Sequence, residues 1–151
     1  MGRPSDAAET KRRRDAPNVF AEMMAVGLGG AIGATLRGLV DGLASTTAAI
    51  ALPTAPMATL AVNLLGALLL GAVLGRFERL GASPLARPFL VVGLLGSFTT
   101  YSTLVAQGFE IRASVGAGAA IALLAFSLLL GLAGFAAGER LVGGAPAGGT
   151  R

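Results

Sequence analysis

The chain has no cysteine and no histidine among its 151 residues, and only 13% of its residues are charged. The lack of cysteine excludes disulfides and thiolate chemistry, and the lack of histidine excludes imidazole catalysis and the usual zinc and haem ligands. A soluble domain carries about 25% charged residues, whereas this chain is 54% apolar with a mean hydropathy of +0.73. The composition therefore predicts an integral membrane protein that is not an enzyme.

Long apolar segments separated by polar or proline-containing connections organise most of the chain, which predicts an all-α membrane protein with four transmembrane helices. Residues 1–18 are too polar to fold alone and are predicted to be a disordered basic tail, and 141–151 a flexible tail. Pro53 and Pro56 predict a loop or turn over residues 45–56. The four-helix domain is predicted to cover 19–140, with spans at about 19–43, 57–77, 88–109 and 114–138.

The charged residues are distributed unevenly around these spans. Four spans place both tails and the 76–87 connection on one side, with ten lysines or arginines, while the other side has only Arg112 if Arg37 is assigned to the membrane. Positive residues are retained in the cytoplasm, so both termini are predicted to be cytoplasmic in a multi-pass protein of a bacterial inner or single membrane. The basic residues have no interleaved aromatics, which argues against nucleic acid as a partner.

The densest cluster of hydroxyl groups lies inside the third apolar segment. Ser97, Thr99, Thr100, Tyr101 and the Ser102-Thr103 pair carry six hydroxyls within seven positions. Glycine followed by β-branched residues continues a helix poorly, and non-helical backbone survives at membrane depth only where protein or a wet cavity surrounds it. We therefore expect a helix broken near Gly96–Thr100 that faces an ion path. The alternative is an unbroken helix whose hydroxyls bond to its own carbonyls.

Other polar residues inside the spans have two interpretations each. Asn63 either bridges helices or offers its amide to a pore. Arg37 either reaches the interface and pairs with Asp41 or draws anions to a vestibule. Gly29 and Gly33 have the four-residue spacing that lets two helix backbones approach closely.

Three stretches together resemble the Fluc/CrcB family of fluoride channels. The resemblance covers about residues 25–140 and is carried by the stretches at 29–37 (GGAIGATLR), 59–66 (TLAVNLLG) and 96–103 (GSFTTYST). It implies an antiparallel dual-topology dimer with two fluoride paths along the subunit interface and a structural sodium ion. By the same resemblance, backbone carbonyls of Gly96 and Thr99 hold the sodium. The expected fluoride pathway comprises Arg37, Asn63, Tyr101, Ser102, Thr103 and Ser127.

The chain departs from the family pattern at several positions. It has Tyr101 and Leu104 where the family has two phenylalanines, Gln107 where a glutamate is common, and Leu123 where the fourth helix has a tyrosine. A subunit that inserts in both orientations needs balanced loop charges. The ten-to-one bias therefore favours a heterodimer with an oppositely oriented homologue over a homodimer.

The predicted function is a fluoride-selective channel for passive export of fluoride from the cytoplasm, which relieves fluoride toxicity. One alternative is a small four-helix transporter of cations or drugs, which would need a carboxylate in its cavity. Glu22 and Glu110 lie too near helix ends for that role. The other alternative is a non-conducting partner subunit of a heterodimeric channel.

Overall fold

The computed structural model describes residues 18–48 and 54–142. Almost all of both predicted tails, and residues 49–53 of the predicted loop, lie outside this described part. The helices are α1 (Val19–Ala48), α2 (Thr54–Leu80), α3 (Pro88–Leu95 continued by Gly96–Phe98), α4 (Ser102–Ser114) and α5 (Ala117–Leu141). The first, second and fourth spans are α1, α2 and α5, and α3 and α4 together form the third.

Within the described residues, four stretches are long and apolar enough to cross a membrane, and their positions are Val19–Leu43, Pro56–Leu80, Pro88–Ser114 and Ala117–Leu141. The predicted all-α four-span architecture is confirmed. The first apolar stretch ends at Leu43, while helix α1 continues to Ala48 and helix α2 already begins at Thr54, so both helices extend into the segment 45–56 that the sequence predicts to be a loop or turn. Pro56 is compatible with this start since its missing N–H falls in the first turn, where no helical partner exists.

The fourth span begins after a glycine that separates it from the third. Gly116 has φ +122°, a backbone conformation that favours glycine, and α5 starts at the next residue. Ser114, predicted to open the fourth span, instead ends α4 and donates its hydroxyl to the carbonyl of Glu110 at 2.9 Å. The connection between the third and fourth spans is therefore a two-residue turn.

Small residues bring the helices into backbone contact in two pairs. Helix α1 packs along α3, and α2 packs along α5. A Cβ at Gly33 would overlap the carbonyl oxygen of Leu94, and one at Gly138 would overlap that of Leu68. The predicted close approach at Gly29 and Gly33 is thus confirmed, and the contact it makes is with α3.

The third span is interrupted near its middle. Its first part is π-helical over Pro88–Leu95 and becomes α-helical over Gly96–Phe98. Thr99 then adopts an extended conformation (φ −80°, ψ 154°), and helix resumes only at Ser102. The predicted break is confirmed, and the alternative of an unbroken helix is wrong. We call the non-helical residues 99–101 the break.

Candidate functional site

Asn63 of α2 holds the centre of the break. Its Oδ1 accepts a hydrogen bond from the N–H of Thr100 at 2.9 Å, and its Nδ2 donates to the carbonyl of Thr100 at 2.9 Å. One side-chain amide therefore satisfies both the N–H and the carbonyl of Thr100, which the interrupted helix leaves without helical partners. The geometry supports the bridging interpretation of Asn63, and it also leaves the second amide hydrogen of Nδ2 available.

Thr100 also starts the helix that follows the break. Its Oγ1 accepts a hydrogen bond from the N–H of Thr103 at 3.2 Å, as an N-terminal capping residue does. The same hydroxyl donates to Oγ1 of Thr103 at 3.0 Å and lies 3.3 Å from Oγ of Ser102. The hydroxyls of Ser102 and Thr103 are thus engaged with Thr100 at the start of α4.

These side-chain bonds free two backbone carbonyls. In a continuous helix the N–H of Thr100 would bond the carbonyl of Gly96, and the N–H of Thr103 would bond that of Thr99. Here Asn63 and the Thr100 hydroxyl take those N–H groups, and no backbone bond across the break replaces them among the described residues. The carbonyls of Gly96 and Thr99, the two predicted sodium ligands, therefore lack their helical partners.

A cavity of about 590 Å³ opens beside the break, between α2, α4 and α5. Its polar wall is formed by amide and hydroxyl side chains, and the rest of the wall is apolar. The polar lining consists of Asn63, Thr99, Thr100, Tyr101 and Ser127, and the apolar lining of Leu104, Ile121, Leu124, Ala125, Leu128, Gly131 and Leu132. No charged residue is in this lining, so its polar groups are neutral amide and hydroxyl side chains.

The structure brings together three of the predicted pathway residues and separates the others. Asn63, Tyr101 and Ser127 share the cavity, and Leu104 faces it from a position where the family pattern has an aromatic ring. Ser102, Thr103 and Arg37 are not in its lining. Thr100, which was not among the predicted pathway residues, is central to the break because it bonds both Asn63 and the start of α4. The hydroxyl cluster in the sequence indicated a break, but it did not show which residue would anchor it.

A second polar cluster joins α1, α2 and α4. The Arg37 Nε bonds Oδ2 of Asp41 at 2.9 Å, which is the contact that one of the two interpretations of Arg37 required. Arg37 Nη2 lies 3.5 Å from Oγ1 of Thr59, which also accepts a hydrogen bond from Nε2 of Gln107 at 2.9 Å. Arg37, Thr59 and Gln107 are buried, with Thr59 only 1% exposed, whereas the Asp41 side chain is 52% exposed.

Two polar atoms of this cluster have no partner in the described part of the chain. They are Nη1 of Arg37 and Oε1 of Gln107, one a donor and the other an acceptor. Buried polar atoms are normally satisfied by protein, water or a ligand. The sequence signal for this cluster was the position of Thr59 one helical turn before Asn63, which places both on one face of α2.

Replacing Thr59 with valine is expected to destabilise the protein by about 1–3 kcal/mol. Valine preserves the shape of the side chain and removes the acceptor shared by Arg37 and Gln107, which leaves buried donors unsatisfied. The measurement is the thermal unfolding midpoint in detergent. Thr59→Ser is the matched control because it keeps the oxygen, and equal midpoints for the valine and serine variants would contradict the prediction.

Comparison with known proteins agrees with the resemblance seen in the sequence motifs. The family model described as CrcB-like protein, Camphor Resistance (CrcB), matches residues 24–139. A protein of Symbiobacterium thermophilum called fluoride-specific ion channel FluC 2 is 41% identical over 120 residues, covering 79% of this chain and 95% of the relative. A fluoride-specific ion channel FluC of Hahella chejuensis is 38% identical over 117 residues, covering 77% and 90%.

A third relative, from Nautilia profundicola and also called fluoride-specific ion channel FluC, is 40% identical over 91 residues, which is 60% of this chain and 69% of the relative. The family model includes the α1 glycines, Asn63, the break and Ser127. The resemblance inferred from the sequence motifs is thereby confirmed. The chain belongs to the CrcB-like (Fluc/CrcB) family.

Proposed function

We propose that the chain is a subunit of a fluoride-selective channel that lets fluoride leave the cytoplasm passively. The observation that carries the proposal is the uncharged cavity at the break, where Asn63 and neighbouring hydroxyls provide donors. The family membership and the names of the relatives, fluoride-specific ion channels, support it. A channel of this kind performs transport and no covalent chemistry.

The donors in the cavity suit a small anion that holds its water tightly. Conduction requires groups that replace the hydration shell without binding the ion too strongly. The second amide hydrogen of Asn63 and the hydroxyls of Tyr101 and Ser127 are neutral donors on one wall. We assign Ser102 and Thr103 a supporting part in the pathway, since their hydroxyls bond Thr100 and fix the start of α4.

Arg37 extends the proposed pathway toward the end of the spans. It is buried, only one carboxylate bonds it among the described residues, and its Nη1 has no protein partner there. A buried guanidinium with a free donor attracts anions. With both termini cytoplasmic, Arg37 lies near the outer end of the first span, so in this proposal it attracts fluoride outward after the ion has passed the neutral donors around Asn63.

The break also offers a fit for the expected structural sodium ion. Hard cations take oxygen ligands, and unwound helix carbonyls supply them. The Gly96 and Thr99 carbonyls are the candidates because the N–H groups that would normally bond them donate elsewhere. Bound there, sodium would supply positive charge that stabilises the exposed carbonyl dipoles of the break.

The cavity needs a second chain to become a closed path. Tyr101, on its polar wall, is 76% exposed in the single chain, and much of the α5 surface is exposed as well. We propose an antiparallel dimer in the inner or single membrane, with both termini of this chain cytoplasmic. Because the charge bias disfavours insertion in both orientations, an oppositely oriented homologue is the proposed partner.

Fluoride efflux from liposomes tests the proposal, with chloride efflux and empty liposomes as controls. Liposomes contain this chain alone, an oppositely oriented homologue alone, or both chains purified together. We expect fast fluoride efflux and negligible chloride efflux only from the co-purified pair. Efflux from this chain alone would contradict the heterodimer and retain the channel, whereas no efflux from any sample would overturn the channel itself.

The alternatives give different results in the same assay. A cation or drug transporter would show substrate movement without fluoride efflux, and no carboxylate lines the cavity to support it. A non-conducting partner subunit would leave fluoride efflux of the pair unchanged when Asn63 or Tyr101 of this chain is replaced. Loss of efflux in those variants supports a conducting role for this chain.

A further inference from the structure

An apolar groove of about 800 Å³ lies between the beginning of α1 and the residues around the start of α3. Its α1 wall extends from Phe20 to Leu28, which corresponds to a depth of about 12 Å along the helix at 1.5 Å per residue. The lining is entirely apolar and consists of Phe20, Ala21, Met24, Ala25, Leu28, Leu85, Ala86, Phe89 and Leu90. The groove therefore runs from the end of the spans into the depth of the hydrocarbon.

A polar pocket of about 400 Å³ adjoins this groove at the connection between the second and third spans. Both sites use one short segment, since Leu85 and Ala86 line the groove while Pro84 and Arg87 line the pocket. The pocket also contains Glu78. This segment lies between spans that end at Leu80 and begin at Pro88, which is the level of lipid head groups.

The two charges in the pocket do not pair with each other. The described residues form one ion pair, Arg37 with Asp41, and Glu78 and Arg87 are not within salt-bridge distance although they line the same pocket. Both side chains are exposed. A zwitterion placed between Glu78 and Arg87 would have its cation beside the carboxylate and its anion beside the guanidinium. It would therefore complement both protein charges, whereas a ligand with a single charge would complement only one of them.

We propose that this composite site binds phosphatidylethanolamine. The lipid phosphate pairs with the Arg87 guanidinium, the lipid ammonium donates to the Glu78 carboxylate, and one acyl chain occupies the apolar groove. An ammonium head group is favoured over a trimethylammonium head group because only the former has N–H donors for a carboxylate. Phosphatidylglycerol has the phosphate without the cation and therefore satisfies only Arg87.

Native mass spectrometry of the purified channel tests this site with three lipids of identical acyl chains: phosphatidylethanolamine, phosphatidylcholine and phosphatidylglycerol. We expect phosphatidylethanolamine to be retained about two- to fivefold more than phosphatidylcholine, within the range of one exposed ion pair. Glu78→Gln should bring phosphatidylethanolamine and phosphatidylcholine to the same level, with the larger loss for phosphatidylethanolamine and no loss for phosphatidylglycerol. Arg87→Gln should lower the retention of all three.

Arg76→Gln is the matched control, because Arg76 is an exposed arginine at the same end of the spans and lines neither the groove nor the pocket. It should leave retention of every lipid unchanged, and unfolding midpoints without added lipid should be the same for all three variants. Equal retention of the three lipids, or the same lipid profile in Glu78→Gln as in the unmodified protein, overturns the proposal.

A second chain covering the groove is the competing occupant. Because the chain contains no cysteine, Leu85→Cys introduces a unique thiol at the groove. Efficient disulfide formation between Leu85→Cys and single cysteines introduced into a second chain, together with no retained phospholipid, would assign the groove to a protein interface and overturn lipid binding.

Discussion

Replacing Asn63 with leucine is expected to lower the rate of fluoride efflux at least about 100-fold. Leucine cannot bond the N–H and carbonyl of Thr100, so two partly buried backbone groups at membrane depth lose their partners. Each unsatisfied group costs about 1–3 kcal/mol, and 1.4 kcal/mol is already a factor of ten in an equilibrium. The variant also removes the spare amide hydrogen from the cavity.

Asn63→Asp separates the structural effect from the effect on the ion. The carboxylate keeps an acceptor for the Thr100 N–H and loses the donor to the Thr100 carbonyl, so one of the two hydrogen bonds can remain where Asn63→Leu loses both. A negative charge beside the cavity repels fluoride, and efflux is expected to fall as far. Efflux within tenfold of the unmodified pair in the leucine variant would contradict the assignment of Asn63.

Replacing Gly33 with alanine is expected to destabilise the protein by about 3 kcal/mol, at the upper end of the usual range for overpacking. The new Cβ would overlap the Leu94 carbonyl and approach the backbone nitrogen of Phe98 to 3.1 Å. Backbone atoms cannot turn aside as a flexible side chain can, so α1 and α3 must separate. The measurement is the thermal unfolding midpoint in detergent, which should be lower than that of the unmodified protein.

Gly38→Ala provides a matched control on the same helix. A Cβ at Gly38 has no neighbour within 4 Å, and alanine favours helix over glycine by about 1 kcal/mol. The Gly38 variant is therefore expected to match or exceed the stability of the unmodified protein. If both alanine variants changed the midpoint equally, the close packing of α1 on α3 would not be the cause.

The sequence was sufficient to predict features that depend on local composition. Hydropathy determined the number and approximate positions of the spans, and the hydroxyl cluster after Gly96 predicted a break that the structure places at 99–101. The ends of the helices were predicted less accurately. The apolar sequence near Leu43 does not show that the helix continues beyond the end of the membrane span. The π-helical form of Pro88–Leu95 had no signal in its apolar sequence.

Long-range partners could not be predicted from local pattern. Asn63 and Thr100 are separated by 37 residues and Thr59 and Gln107 by 48, and only the packing of α2 on the third span makes them neighbours. The charge pattern allowed the contact of Arg37 with Asp41 as one interpretation, since that contact spans one helical turn. It did not show that Arg37 also reaches Thr59, which depends on the crossing of α1 and α2.

Direct backbone contacts pack α1 against α3 and α2 against α5. The two hydrogen bonds between Asn63 and Thr100 connect one of these pairs to the other. Sliding one pair past the other would break both of these hydrogen bonds at once. Such a scaffold resists rocking motions of the kind that alternate a binding site between two sides of a membrane. Its architecture therefore favours a channel over a transporter that changes conformation in each cycle.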